Sequence, residues 1–154
     1  MGPASNAPIE SPCGDHGIVL DTNVVLDWLV FSDTRAQRIA QAVSSGAVAW
    51  LATDGMLAEA MRMFAHPSLA RWRPDVDAAT ATCLRHARLV ATPSAPLGAW
   101  PRCTDRDDQP FVELAIAERA RWLVSRDRAL LKLRRRMAGF GVAVVTPDDW
   151  RHLD

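Results

Sequence analysis

Four separate segments of the chain carry carboxylates that could act together in chemistry. Carboxylates within a few ångströms of one another repel and raise each other's pKa unless a cation neutralises them, so a cluster of this kind indicates a divalent metal. Oxygen ligands without a His or Cys cluster favour Mg²⁺ or Mn²⁺ over zinc. The candidate acids are Asp21, Glu59, the group Asp105, Asp107 and Asp108, and Asp127.

Phosphodiester hydrolysis is the chemistry that an acid-held Mg²⁺ or Mn²⁺ typically performs when the chain has no Gly-rich nucleotide loop and no serine nucleophile. Two other acid-rimmed α/β classes do not fit the residues. A haloacid-dehalogenase-type phosphatase needs a second acid at position 23, where Asn23 stands. A phospho-receiver domain needs a lysine after its last strand, but the single lysine, Lys132, lies in a basic segment.

Short apolar runs that alternate with longer amphipathic segments must position these acids. Helical spacing of apolar residues in Asp54 to Ala65 and from Phe111 onward predicts helices between the strands. Repeated strand and helix predict an α/β fold with a central parallel sheet of four to five strands. Such a sheet binds ligands beyond its carboxyl ends, where we expect the four acidic segments to meet. The predicted strands are 18–20, 48–51, 89–91, 122–124 and 142–145.

The composition is that of one globular domain, with 154 residues, 49% of them apolar and 23% charged. Residues 1–16, rich in Pro, Gly and small polar residues, predict a flexible N-terminal arm before a single domain at 17–154. The apolar runs are too short for a membrane span and no secretory signal is recognised, so we expect a cytoplasmic protein without membrane contact. Three scattered cysteines indicate neither a disulfide framework nor a thiolate zinc site.

Positive charge is concentrated in the second half of the chain, where residues 78–154 hold thirteen of the eighteen Lys and Arg residues. In the segment 126–136, four of these residues are predicted on one helical face, opposite apolar ones. That face is either a solvated outer surface or a track for RNA phosphates. The four residues are Arg128, Lys132, Arg135 and Arg136.

The acids and their neighbours resemble the PIN domains, and especially the toxin-type, VapC-like bacterial PIN ribonucleases. Val19-Leu20-Asp21-Thr22-Asn23-Val24 is similar to their first motif, and LATDGMLAEAMRMF, with Thr53 and Glu59, to their second. CTDRDDQPFVELA at 103–115 is similar to the third and LVSRDRALL at 123–131 to the fourth. The resemblance runs from about Ile18 to Pro147.

This resemblance implies a three-layer PIN-like, Rossmannoid fold and a ligand set of four acids for one or two Mg²⁺ or Mn²⁺ ions. Asp108 is preferred to Asp105 because it stands seven residues before Ala115, as the third acid of the family does before its small helix residue. The four carried-over catalytic and metal-binding positions are Asp21, Glu59, Asp108 and Asp127.

Five further side chains are predicted around the ions rather than on them. Asp105 and Asp107 would add outer charge, and Ser125 lies beside the proposed metal. Thr22 and Asn23 would either orient a water molecule at the metal or cap the first helix.

The resemblance further implies a metal-dependent endoribonuclease of single-stranded RNA, the toxin component of a type II toxin–antitoxin system, with a cognate antitoxin and a homodimeric state. One departure leaves an alternative open. Arg126 stands where many relatives have Gly or another small residue, and it would either grip substrate phosphate or pair with Asp127 and weaken metal binding. In the second case the chain would be a noncatalytic PIN-fold module for RNA binding or protein assembly.

Overall fold

The computed structural model describes residues 16–94, 96 and 98–152. Five parallel strands form one sheet in the order β3-β2-β1-β4-β5, which confirms the predicted parallel α/β architecture. The predicted arm, residues 1–16, lies outside the described residues except for His16 and stays a prediction. The strands are β1 Gly17–Leu20, β2 Ala49–Ala52, β3 Ala87–Leu89, β4 Trp122–Val124 and β5 Ala143–Val145.

Helices connect the strands and cover both faces of the sheet. Among the described residues, the short 3-10 turns Thr34–Ala36, Pro67–Trp72 and Arg106–Asp108 join them. In the described part of the chain the α-helices are α1 Thr22–Leu29, α2 Gln37–Ser44, α3 Asp54–Phe64, α4 Val76–His86, α5 Gln109–Ala117, α6 Arg128–Leu131 and α7 Arg134–Ala138.

The side chains of β1 alternate between two hydrophobic cores, one on each face of the sheet. Ile18 and Leu20 belong to the core under α1 to α4, whereas Val19 belongs to the core under α5 to α7. Because both faces are buried, the strand consists of apolar residues throughout instead of alternating apolar and polar ones. The result is the expected three-layer arrangement of helix, sheet and helix.

The path of the chain through the sheet creates a ligand-binding edge between β1 and β4. The chain runs outward from β1 through β2 to β3 and then returns to β4 on the opposite side of β1. In such a sheet, ligands bind at the carboxyl ends where the strand order reverses. Leu20 of β1 is in register with Val124 of β4, so the residues that follow these two strands lie side by side.

The basic segment differs from its prediction as one continuous helix. It forms α6 and α7, which are separated at Lys132 and Leu133. The Leu133 N–H donates to the carbonyl of Leu130 only three residues back, at 3.0 Å, and this tighter turn interrupts the regular helix. Leu130, Leu133 and Met137 are all buried by this arrangement.

The third strand also begins earlier than predicted, at Ala87 instead of Leu89, because α4 passes into it without a loop. Cys83 and Cys103 are buried free thiols, and Cys13 lies outside the described residues. Among the described residues, none of the helices has the length and apolar character that crossing a bilayer requires.

Candidate metal centre

Asp21, the first residue after β1, is held by hydrogen bonds to both of its carboxylate oxygens. Its Oδ1 accepts from the Val24 N–H at 3.1 Å and thereby caps α1. Its Oδ2 accepts from the Ser125 hydroxyl. The side chain is only 3% exposed, and burial raises the pKa of the Asp21 carboxyl despite these hydrogen bonds.

Ser125, the residue after β4, connects two of the acidic segments. It is fully buried, and its hydroxyl accepts from the Asp127 N–H at 2.9 Å while it donates to Asp21. The sequence predicted Ser125 beside the metal. In the structure, Ser125 has a direct structural role, because its two hydrogen bonds fix the turn that carries Asp127 against the end of β1.

Asp105, Asp108 and Asp127 form a cluster in which one carboxylate oxygen of each lies within 4.8 Å of the others. Asp105 Oδ1 caps the 3-10 turn by accepting from the Asp107 N–H at 3.0 Å, and Asp108 directly precedes α5. Asp127 Oδ1 caps α6 by accepting from the Ala129 N–H at 2.8 Å. Each of the three carboxylates thus stands at the start of a helix or a 3-10 turn, and these starts bring them together.

Burial and neighbouring negative charge both perturb the ionisation of Asp108 in this acid cluster. Burial, a hydrogen bond shared with Asp127 and the negative charge of Asp127 raise the pKa of the Asp108 carboxyl to about 7. The charges of Asp105 and Asp21 act in the same direction. Asp108 Oδ2 is buried and has no hydrogen-bond partner among the described residues. A cation at this point would satisfy that oxygen and relieve the repulsion.

Asp108 and Asp127 are the two predicted ligands in this cluster, and Asp21 lies beside it. Glu59, the fourth predicted ligand, is not a member of the cluster. It is exposed on α3, and its carboxylate pairs with Arg62 one turn further along the helix. It lines a neighbouring cleft together with Thr22 and Phe111. Its role as a metal ligand stays a prediction.

Thr22, Asn23 and Asp107 lie at the periphery. Asp21 itself caps α1, so the alternative in which Thr22 or Asn23 provides that cap is wrong. Thr22 is partly buried beside Asp21, whereas Asn23 and Asp107 are exposed. Their outer roles around a metal stay predictions.

Arg126 pairs with a residue that the sequence reasoning did not consider. Its Nε and Nη2 donate to the two carboxylate oxygens of Asp27 on α1, at 2.8 and 2.9 Å. Pairing with Asp127, one of the two roles left open, is therefore not what occurs. Asp27 has a side chain only 3% exposed; burial raises its pKa, and the hydrogen bonds from Arg126 oppose that shift.

The predicted basic side chains are exposed in spite of the break between α6 and α7. Arg128 and Lys132 belong to the first of these short helices and its end, and Arg135 and Arg136 to the second. The structure confirms their separation from the buried leucines but not a single continuous face.

A sequence profile described as PIN domain matches residues 17–129, nearly three quarters of the chain. This chain belongs to the PIN domain family. The match spans β1 to the start of α6 and so includes every acidic residue described above. No match to a curated protein was found.

PIN domains are generally nucleases and typically bind divalent metals, and the residues of this PIN domain fit such an ion. The donors are carboxylate oxygens, which hard cations prefer. Asp108 Oδ2 has no hydrogen-bond partner among the described residues, and burial and neighbouring carboxylates raise the pKa of Asp108. A bound cation would satisfy this oxygen and favour the ionised form. Asp105, Asp108 and Asp127 are therefore the residues that would hold it, with Asp21 adjacent.

Two residues that matter for this PIN-domain site escaped sequence reasoning. Asp27 is a lone acid in an otherwise apolar stretch of α1, and a buried charge of that kind demands a cationic partner. Gln109 accepts from the Cys103 N–H at 2.6 Å and donates to the Pro101 carbonyl at 3.0 Å, which ties the acidic turn to its preceding loop. The position of Gln109 as the first residue of α5 gave no distinct signal.

The metal-free PIN domain is expected to lose stability as pH rises. Asp108 ionises near pH 4 in the unfolded chain but near pH 7 in the folded one. The folded state thus binds more protons between these values, and the free energy of unfolding falls as pH rises across that window. Because the side chain is partly exposed, the fall attributable to Asp108 is about 1 to 2 kcal/mol. Urea unfolding in EDTA at pH 5, 6, 7 and 8 measures it.

Asp108→Asn should remove this fall, whereas Asp107→Asn, an exposed neighbour, should retain it. Mn²⁺ at pH 7.5 should stabilise the wild type because it binds the folded state. Parallel pH profiles for wild type and Asp108→Asn would contradict the assigned electrostatics.

Arg126→Ala is expected to destabilise the PIN domain by about 2 to 4 kcal/mol, because it leaves the Asp27 carboxylate buried without its partner. Asp27→Asn should cost less, since it removes the buried charge and Arg126 remains partly exposed to water. The double variant should recover part of the loss. Denaturant unfolding measures all three.

Arg35→Ala is the matched control, since it breaks the exposed pair with Asp33 and should destabilise far less than Arg126→Ala. Equal losses for Arg126→Ala and Arg35→Ala would contradict a structural role for the buried pair.

Proposed function

We propose that this PIN domain is a metal-dependent endoribonuclease that hydrolyses RNA phosphodiester bonds with Mg²⁺ or Mn²⁺. The observation that carries the proposal is the convergence of Asp105, Asp108 and Asp127 within 4.8 Å, with a buried oxygen of Asp108 unpartnered. Membership of a generally nucleolytic family supports the same reaction class.

The proposed ligands are Asp21, Asp108 and Asp127, with Asp105 as an additional one and Glu59 as the fourth acid of the family pattern. When bound, one or two divalent ions would polarise the phosphodiester and offset the negative charge that develops as water attacks.

The chain's own residues prepare this site before any substrate arrives. Ser125 holds Asp21 and the Asp127 backbone in fixed relative positions. Asp108 carries a proton below about pH 7 in the metal-free chain and must release it to act as a ligand. The exposed Arg128, Lys132, Arg135 and Arg136 are proposed contacts for RNA phosphates. Arg126 stays a predicted contact, although two of its donors are used by Asp27.

A noncatalytic PIN-fold module for RNA binding or protein assembly was the alternative suggested by Arg126. Its physical basis was a guanidinium on Asp127 that would compete with metal. Because Arg126 instead engages Asp27 at 2.8 and 2.9 Å, that competition has no support. The catalytic function is therefore the better supported of the two.

Cleavage of single-stranded RNA is expected to require Mn²⁺ or Mg²⁺ and to stop in EDTA. Asp21→Asn and Asp108→Asn should each lower the rate by roughly 100-fold or more, because each removes a charged ligand. Both should stay folded, since Asn occupies the same space as Asp, and at position 21 its side-chain oxygen can still cap α1. The assay is gel analysis of a labelled oligonucleotide, with circular dichroism of each variant.

Asp77→Asn, at an exposed acid of α4 that is not among the predicted site residues, is the matched control and should cleave within about twofold of wild type. Equal cleavage in Mn²⁺ and in EDTA would overturn the proposed function. Glu59→Gln in the same assay tests whether Glu59 belongs to the catalytic set.

The finer biological role proposed is the toxin of a type II toxin–antitoxin pair, cytoplasmic and homodimeric. If so, induced expression of the wild type should arrest growth of a bacterial host, and Asp21→Asn should not. Co-expression of the protein from the adjacent reading frame should restore growth and co-purify with the chain. Normal growth during accumulation of active wild type would argue for a housekeeping nuclease instead.

A further inference from the structure

A cleft beside the acid cluster is large enough for a small ligand. It encloses about 280 Å³ at the start of α1, α3 and α5, and we call it the α3–α5 cleft. Met56 and the largely buried Phe111 and Thr53 form its inner part. Gly55 and Glu59, both exposed, lie at its rim.

Residues that line the cleft are sequence neighbours of the acids. Thr22, one of its lining residues, directly follows Asp21. Pro110, another, stands two residues after Asp108. A ligand group in the cleft is therefore next to any phosphodiester held at the acids.

The chemistry of the lining fits a nucleobase better than a phosphate. The described lining residues contain no Arg or Lys, and the one charged side chain among them, Glu59, is an acid that pairs with Arg62. The lining thus offers no cation for a phosphate. Three hydroxyls come from the carboxyl ends of β1, β2 and β3, on Thr22, Thr53 and Thr92. Apolar surface with a few placed polar groups is typical of sites for flat amphipathic ligands.

The volume sets the size of the occupant. At about 280 Å³ the cleft falls just below the range of ordinary small-molecule sites, which begins at about 300 Å³. It therefore suits one base and excludes a base pair or a helix. A base can enter only when it is unpaired and unstacked from its neighbours.

We propose that the α3–α5 cleft is a nucleobase subsite, which takes one unpaired base beside the scissile phosphodiester and contacts it through Met56 and Phe111. This inference rests on the proposed nuclease function and deepens it. The threonine hydroxyls and Glu59 then determine which base is preferred, because they are the polar groups that line the cleft.

Gly55 offers a way to close the cleft without disturbing the core. It lies in α3 with ordinary helical geometry, and a Cβ added there would meet only Thr53 Oγ1, at 3.9 Å. Gly55→Leu should therefore fold and fill the rim, while Gly55→Ala should leave the cleft open and favour the helix. Ala58→Leu places the same side chain on an exposed part of α3 outside the lining and is the size-matched control.

The test combines these variants with a single-stranded RNA oligonucleotide that has one mapped cleavage point. Each nucleotide within two positions of the cut is replaced in turn by an abasic one. For Gly55→Ala and Ala58→Leu, one of these replacements should lower kcat/KM by on the order of 10- to 100-fold, the effect of losing one base contact. For Gly55→Leu, kcat/KM on the intact RNA should already show that loss, and the abasic replacement should add nothing.

Three results would overturn the subsite. If no abasic replacement affects Mn²⁺-dependent cleavage, the nucleobase subsite is wrong while the nuclease function stands. This result would favour an apolar protein side chain as the occupant of the cleft. Equal cleavage by Gly55→Leu and Ala58→Leu would likewise contradict the subsite and leave the nuclease function standing. Absence of metal-dependent cleavage by the wild type would overturn the nuclease function and, with it, the basis of the subsite.

Discussion

Repulsion among carboxylates at the carboxyl ends of β1 and β4 is the constraint on which the rest of the structure depends. Asp105, Asp108 and Asp127 offer oxygens within 4.8 Å of one another, and Asp21 adds a fourth negative charge nearby. A chain without strong packing elsewhere would relax such a cluster by moving its loops apart. Here the hydrophobic cores on both faces of the sheet hold the strand ends in register. Burial, together with the negative charge of the neighbouring carboxylates, raises the pKa of Asp108.

The turn from Ser125 to Asp127 resolves this constraint by sending three consecutive side chains to different partners. Ser125 binds Asp21, Arg126 binds Asp27 on α1, and Asp127 faces the acid cluster. The Arg126 guanidinium thus neutralises the buried Asp27 on α1. It does not neutralise the carboxylates of the acid cluster. A basic residue inside an acidic motif is compatible with a metal site for this reason.

Strand runs, helix periodicity and acids placed after strands were sufficient to predict the parallel sheet and the position of Asp21, because these features depend on local pattern. Partner choice was not predictable in the same way. The pairing of Arg126 with Asp27 depends on how α1 lies against the turn, and Glu59 turns to Arg62 because a cation is available one helical turn away. The entry of Asp105 into the cluster follows from a 3-10 turn that no periodicity indicated.

Three of the acids at this edge of the sheet serve the fold as well as the proposed site. Asp21, Asp105 and Asp127 each use Oδ1 to accept the backbone N–H that begins a helical turn. Substitutions that remove the metal-binding carboxylates during evolution would therefore not have to destabilise the fold. A homologue without nuclease activity is expected to have Asn, Ser or Thr at these three positions, because these residues can still cap the helical turns. Its capping residues would then show where the acids of an active ancestor stood.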